Sequence, residues 1–274
     1  MTPPVPTRLH GLWRRDWMRF ADGTSNTTLR VFYLQGPTLF ADLRLPSGQK
    51  RFAADTALDG LSAANMRALM GRMGFAGHTT MTGNRVTWHR HFDYQQGRGA
   101  AVQLDVGICS FRGLRMIEAE PSGAYVEQWQ RVYDGAGRFL TLRCEAGPGA
   151  PERILVACGD RFMIARDRAS TLPRGEYLTD LAGTIDAKAL APHLDCELAY
   201  GRRTGRGGAW RIGLSTIPAR EGSLAFGPGC LHYHPELDAV DEELVARPGV
   251  ALRRWQIVDC TLRRTELAAF LAGH

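Results

Sequence analysis

Most of this chain is written in short stretches that alternate apolar and polar residues with period two, each closed off by Gly, Pro, Asn or Asp. Such a stretch makes a strand with two chemically different faces, and a row of short strands exposes hydrogen-bonding edges unless the sheet closes or packs on another. In the first half the pattern predicts strands over 11–20, 28–35, 38–45, 75–82, 85–94, 101–110, 113–119 and 124–133. Turns are expected at Asp22-Gly23, Gly36-Pro37, Gly83-Asn84, 97–99 and 121–123. One segment breaks the rhythm: Met66, Leu69, Met70 and Met73 recur at helical spacing, with Ser62 placed to cap the start and Gly74 to end it.

The second half follows a similar plan. Strands are expected over 138–145, 152–158, 161–167, 196–202, 209–217, 222–226 and 252–262. A short helix over 186–191 should stop at Pro192, and a C-terminal helix should cover 265–271. The turn Asp134-Gly135-Ala136-Gly137 is the natural boundary, giving units 1–135 and 136–274. Many short strands with one early helix per unit predict an all-β chain with minor helices, built as two consecutive lipocalin-like antiparallel barrels. An open β-sandwich explains the strands equally well but leaves the inserted helix without a role.

Four Trp-x-Arg copies punctuate the first unit: Trp13 with Arg15, Trp17 with Arg19, Trp88 with Arg90 and Trp129 with Arg131. Strict alternation puts each pair on one strand face, joined by Phe40, Asp42 and Arg44 on one strand and by Tyr125, Glu127 and Tyr133 on another. If these faces point inward, the lumen holds Arg15, Arg19, Arg44, Arg90 and Arg131 against Asp42 and Glu127. With Arg19 and Arg44 reaching solvent at strand ends, about one positive charge stays uncompensated under the rule that buried charges are paired. A carboxylate ligand would balance it; so would a purely structural ion-pair network completed by an acid elsewhere. Arg131-x-Tyr133 resembles the Arg-x-Tyr with which intracellular fatty-acid-binding proteins hold a carboxylate.

The net charge of +6 comes almost wholly from arginine, with only Lys50 and Lys188 as lysines, and the basic residues never run longer than two. No basic tail or helix face emerges, so no nucleic-acid partner is expected. The six cysteines are widely spaced, no signal-peptide core precedes Trp13, and no apolar run reaches membrane-spanning length. Free thiols in a cytoplasmic protein follow. His89 and His91 share a face with Asp93, and His232 and His234 repeat the spacing. Either pair could contribute to a metal or haem site, but no third ligand is fixed, so neither metal nor cofactor is assigned. Nucleophile-elbow, P-loop and dinucleotide motifs are absent.

Several of these segments resemble a family of tandem lipocalin-like (calycin) proteins of unassigned function from bacteria and fungi, typified by a yeast casein-kinase-associated protein. The residues that carry the resemblance are Trp13-x-Arg15, Arg30-Val31-Phe32-Tyr33-Leu34-Gln35, Ala41-Asp42-Leu43-Arg44-Leu45-Pro46, Gly74-Phe75-Ala76-Gly77, Val86-Thr87-Trp88-His89-Arg90-x-x-Asp93-Tyr94 and Tyr125-x-Glu127-x-Trp129-x-Arg131. The resemblance implies two barrels and an inward-facing polar constellation, without a catalytic residue. The expectation is a carrier of a small, largely apolar molecule with an anionic group in the first lumen. Arg90, Arg131 and Tyr133 would hold the anion, Trp13, Trp88, Trp129 and Phe40 would line the apolar part, and Arg15, Asp42, Arg44, Tyr125 and Glu127 would complete the wall. The Met-rich helix would act as a lid, and pairing with a second copy is allowed. Two rivals stand beside it: a lipocalin-like cyclase, hydratase or isomerase using His89, Glu127 or Tyr125, and an interaction module with both barrels filled.

Overall fold

The structure, a computed structural model, describes residues 2–48, 56–96, 105–148, 150–172, 177–183, 185–204, 208–246 and 249–272. The turn expected over 97–99 and the first part of the strand expected over 101–110 lie outside the described residues. The chain is all-β with two barrel-like units. The first sheet contains β1 (Gly11–Phe20), β2 (Ser25–Asn26), β3 (Leu29–Gln35), β4 (Leu39–Pro46), β5 (Met73–Thr82), β6 (Arg85–Asp93), β7 (Asp105–Arg112), β8 (Arg115–Ala119) and β9 (Tyr125–Tyr133). All its pairings are antiparallel, and β9 returns to pair with β1, closing an eight-stranded barrel to which β2 is a short appendage. The first hairpin shows why the chain turns where it does: Asp22 Oδ1 accepts from the Thr24 N–H at 2.8 Å, and Gly23 takes φ +83°.

The second sheet contains β10 (Phe139–Cys144), β11 (Arg153–Cys158), β12 (Arg161–Arg166), β13 (Glu197–Thr204), β14 (Ala209–Ser215), β15 (Leu224–Phe226), β16 (Leu231–His234), β17 (Ala239–Ala246) and β18 (Gly249–Cys260). It runs β15-β14-β13-β12-β11-β10-β18-β17-β16 and curls without a pairing between its end strands among the described residues. β16 and β17 were absent from the sequence expectation because Asp241, Glu242 and Glu243 interrupt the alternation. Arg254 and Arg253 on β18 neutralise the first two at 2.8 Å each, which makes the acidic strand tolerable.

Helix α1 (Ala63–Leu69) starts where Ser62 accepts from the Asn65 N–H. It stops four residues before Met73, because Met73 already pairs with Arg44 on β4. Helix α2 (Ala187–Leu194) is capped by Asp186 and runs through Pro192, whose missing N–H costs one bond near its end while Leu190 and Leu194 are buried. Helix α3 (Arg264–Ala272) packs Leu267, Phe270 and Leu271 into the interior of the second sheet. No helix among the described residues is long and apolar enough to cross a membrane.

Three bulges reset the faces that strict alternation predicts. Asp16 on β1 is skipped in the pairing with β9, so Met18 turns inward opposite Glu127, while Trp17 and Arg19 turn out and stack on each other at 5.2 Å. Val132 is skipped on β9, so Tyr133 lies opposite Leu12 on the outside of the barrel. His91 is skipped on β6, which brings Asp93 to the same side as Arg90 and sends Phe92 and Tyr94 outward.

The outward faces of β3 and β4 (Leu34, Leu39, Ala41, Leu43, Leu45) and of β6 (Phe92) meet Ile154, Val156, Met163, Ala165 and Leu198 of the second sheet in one shared apolar core. Met66, Leu69 and Met70 join that core with Leu190 and Leu194, so the Met-rich helix packs on the seam and α2 and is not a lid over the lumen. The lower end of the first barrel is plugged by the preceding segment, where Val5 and Leu9 are buried and the Leu9 carbonyl accepts from Trp13 Nε1 at 2.8 Å.

The His91 bulge depends on Gly77, since a Cβ there would collide with the His89 carbonyl oxygen. Gly77→Ala should therefore cost about 2 kcal/mol or more in urea unfolding, the usual scale of overpacking; wild-type stability would show that the bulge does not need the close approach.

Candidate functional site

The first lumen is filled, and its arginines are paired. Arg15 Nη1 donates to Glu127 Oε1 at 2.6 Å, with both side chains 2% exposed. Arg44 Nε donates to Asp42 at 2.7 Å. Arg90 forks between Asp93 and Asp105 at 2.6 Å each and lies 3.7 Å above the Phe75 ring. A neutral network fills the centre: Trp88 Nε1 donates to the Tyr33 hydroxyl at 2.9 Å, Tyr33 donates to Gln35 Oε1, and Thr79 donates to the same oxygen at 2.7 Å. Trp13, Phe40, Trp88 and Trp129 close around it. The cavity left among Tyr33, Asp42, Trp88, Glu118 and Trp129 is about 10 Å³, room for roughly one water.

Sequence alternation had counted an excess of arginine in this lumen; the bulges reverse it. Asp93 and Asp105 join Asp42 and Glu127, and Glu118 on β8 sits directly opposite Glu127. Glu118 has no basic partner among the described residues, and burial, reinforced by Glu127 and Asp105, raises its pKa well above the ordinary carboxylate range. The alternation of Met116 with Glu118 could have placed this acid inside. Asp93 could not have been placed, because nothing in the sequence marks the bulge at His91; Asp105 lies opposite Trp88 on the far side of that bulge, in step with the buried Cys109.

Tyr125 lies at the upper mouth with Arg44, Arg85, Arg90 and Asp105, around an open pocket of about 580 Å³. Tyr133 leaves the site altogether: its hydroxyl accepts from the Asp160 N–H at 3.4 Å, and Arg161 stacks on its ring. Arg131 has no carboxylate partner among the described residues. It sits at the lower end beneath the Trp13 ring at 5.6 Å, its Nη1 donates to the His10 carbonyl at 3.5 Å, and among the described residues its buried Nε has no partner.

Around Arg131 opens a pocket of about 420 Å³ where the two sheets meet, with His10 and Arg8 on one side and Phe139 and Thr261 on the other. Burial lowers the His10 pKa, which favours its neutral form. Asp134, the acid in the pocket lining, accepts from the Ala136 N–H at 3.0 Å through one of its oxygens.

The histidine pairs do not converge as ligands. His89 Nε2 bonds Thr80 and His91 Nδ1 bonds Glu152, while His232 and His234 face Glu243 and Asp241 from an exposed strand. Among the described residues no cluster of three or more His, Cys, Asp or Glu is arranged to hold a metal ion.

No protein-family model and no curated protein matches this chain. A solved structure does. An uncharacterized protein of Saccharomyces cerevisiae, YLR301w, superposes with a TM-score of 0.51 over 92% of this chain and 98% of its own, at 12% identity. The likeness is one of fold.

Glu118 gives a pH signature. Because its folded pKa is raised, its ionisation opposes folding once the pH exceeds its unfolded value near 4.3, and stability is lost as pH rises toward the folded pKa. Glu118→Gln removes that loss. Melting curves should match wild type near pH 4 and show the variant more stable by about 1–3 kcal/mol at neutral pH; an equal or less stable variant at neutral pH would mean Glu118 is ionised and satisfied.

Proposed function

We propose that the protein binds a small, largely apolar molecule with an anionic group, seated in the pocket at the lower end of the first barrel with its anion on Arg131. What supports the reading is the state of that guanidinium. Arg15, Arg44 and Arg90 each have a carboxylate within 2.7 Å, whereas among the described residues the Arg131 guanidinium meets only a backbone carbonyl at 3.5 Å. A carboxylate would satisfy it through a charge-assisted bond. Phe139 and the hydrocarbon parts of the wall would take the apolar portion, and a volume of about 420 Å³ suits a short chain or a ring system. The same reading takes the chain as a cytoplasmic relative of the tandem lipocalin-like proteins, with the site moved from the lumen to the junction.

Dansyl undecanoate, followed by its fluorescence, tests this directly. Wild type should bind it, and Arg131→Met should bind at least tenfold more weakly, the least expected from losing a charged hydrogen bond of about 1.5–3 kcal/mol. The corresponding dansyl alcohol should not distinguish the two proteins. Equal carboxylate affinity in the variant, or no binding to wild type, would overturn the assignment.

A further inference from the structure

A second constellation lies in another groove along the seam, of about 780 Å³. It begins at Glu152, just ahead of β11, whose Oε1 accepts from Arg143 Nε at 2.8 Å and faces His91 Nδ1 at 2.8 Å. His91 Nε2 in turn faces His78 Nδ1 at 3.0 Å. The His78 ring is held from its other side by His89, stacked at 4.5 Å and nearly parallel, and His89 is fixed by Thr80 at 2.9 Å. The three groups therefore form one directed chain from a carboxylate, through an imidazole, to a second imidazole that lines the groove.

The tautomers follow from the carboxylate. Glu152 as an acceptor places the proton of neutral His91 on Nδ1 and leaves a lone pair on Nε2. That lone pair accepts the His78 Nδ1–H, so the lone pair of His78 is on Nε2. This atom has no hydrogen-bond partner among the described residues. Burial, with His91, His89 and Arg143 nearby, lowers the His78 pKa to about 4, so the ring stays neutral at ordinary pH. A carboxylate orienting an imidazole that in turn takes a proton from the attacking group is the logic of an activated nucleophile. Here the attacking group is itself an imidazole.

We propose that this groove is a second, catalytic site in which His78 Nε2 accepts the acyl group of a small ester. As Nε2 bonds to the carbonyl carbon, the ester C–O bond breaks and the alkoxide departs. The His78 Nδ1 proton passes to His91 Nε2, leaving a neutral acyl-imidazole and an imidazolium flanked by Glu152. Water then adds to the acyl carbon, the N–C bond breaks, and the carboxylic acid leaves. The proton from water restores His78, and the proton held on His91 neutralises the departed alkoxide. Pro3, Pro4, Leu39 and Val258 line the same groove and suit a short apolar acyl chain. The Arg143 guanidinium beside Glu152 also lines it, where a tetrahedral oxyanion would need positive charge. His78 is the catalytic residue; His91 and Glu152 act through it as positioning residues.

The probe is p-nitrophenyl acetate with the full chain at neutral pH. Wild type should release p-nitrophenolate in a burst, with the acetyl group trapped by acid quench and mapped by mass spectrometry to His78 and not to the other histidines. His78→Gln should abolish the burst. Glu152→Gln should slow acylation at least tenfold while leaving KM for the ester within about twofold, a split that mere loosening of the groove would not produce. An acetyl group mapped elsewhere in wild type, or a burst that survives in a folded His78→Gln protein, would overturn the proposal. The wild-type mapping decides the matter even if a variant fails to fold.

Discussion

The face that the two sheets share governs the rest of the structure. The outward side chains of β3 and β4 are as apolar as the inward ones: Leu39, Ala41, Leu43 and Leu45 lie in the seam, while Phe40 lies in the lumen. A strand buried on both faces reads as a nearly continuous apolar run, and Asp42 is tolerated there only because Arg44 meets it. At its rim the seam is stitched by Asp259 of β18, which accepts from the Thr38 N–H and hydroxyl of the first unit at 3.0 and 2.7 Å and from Thr141 of the second at 2.7 Å. Two curved sheets packed back to back touch along a stripe and diverge on either side of it. The pockets around Arg131 and around His78 both open along that junction, lined by the segment ahead of β1 and by residues of β10 and β18 or just beside them.

The filled lumen follows from the size of the barrel. Eight strands enclose little more than their own side chains, and here those include three tryptophans and three arginines. Each guanidinium inside must meet a carboxylate, because an unpaired buried charge costs far more than a paired one contributes. Only Arg131, at the plugged end where the interior opens toward the second sheet, escapes that requirement.

The fold was largely legible because its signal is local. Turn chemistry at Asp22-Gly23 and the cap at Ser62 mark their elements without any tertiary knowledge, and most strands fall within a residue or two of the alternating stretches. Faces were legible only as far as the next bulge. Alternation correctly joins Trp13 to Arg15 and Trp88 to Arg90, then fails at Trp17, Asp93 and Tyr133, each just past a residue skipped in the ladder. A bulge is set by the partner strand, as Gly77 shows, so it leaves no mark in the strand that bulges. Of the groove only the His89 and His91 pair was legible, since His78 and Glu152 come from other segments with no spacing in common.

One of these bulges links the barrel interior to the groove outside it. Without the extra residue at His91, Asp93 would face outward beside His91 and Arg90 would lose one of its two carboxylates. With it, Asp93 turns in to complete the lumen, and His91, released from the regular ladder, stands out from the wall between His78 and Glu152. Bulges concentrate where a side chain must be re-aimed, and this one re-aims two at once, in opposite directions. Its glycine partner therefore holds in place both the charge balance of the filled interior and the imidazole chain on the outer face, so the stability of the first barrel and the geometry of the groove rise or fall together.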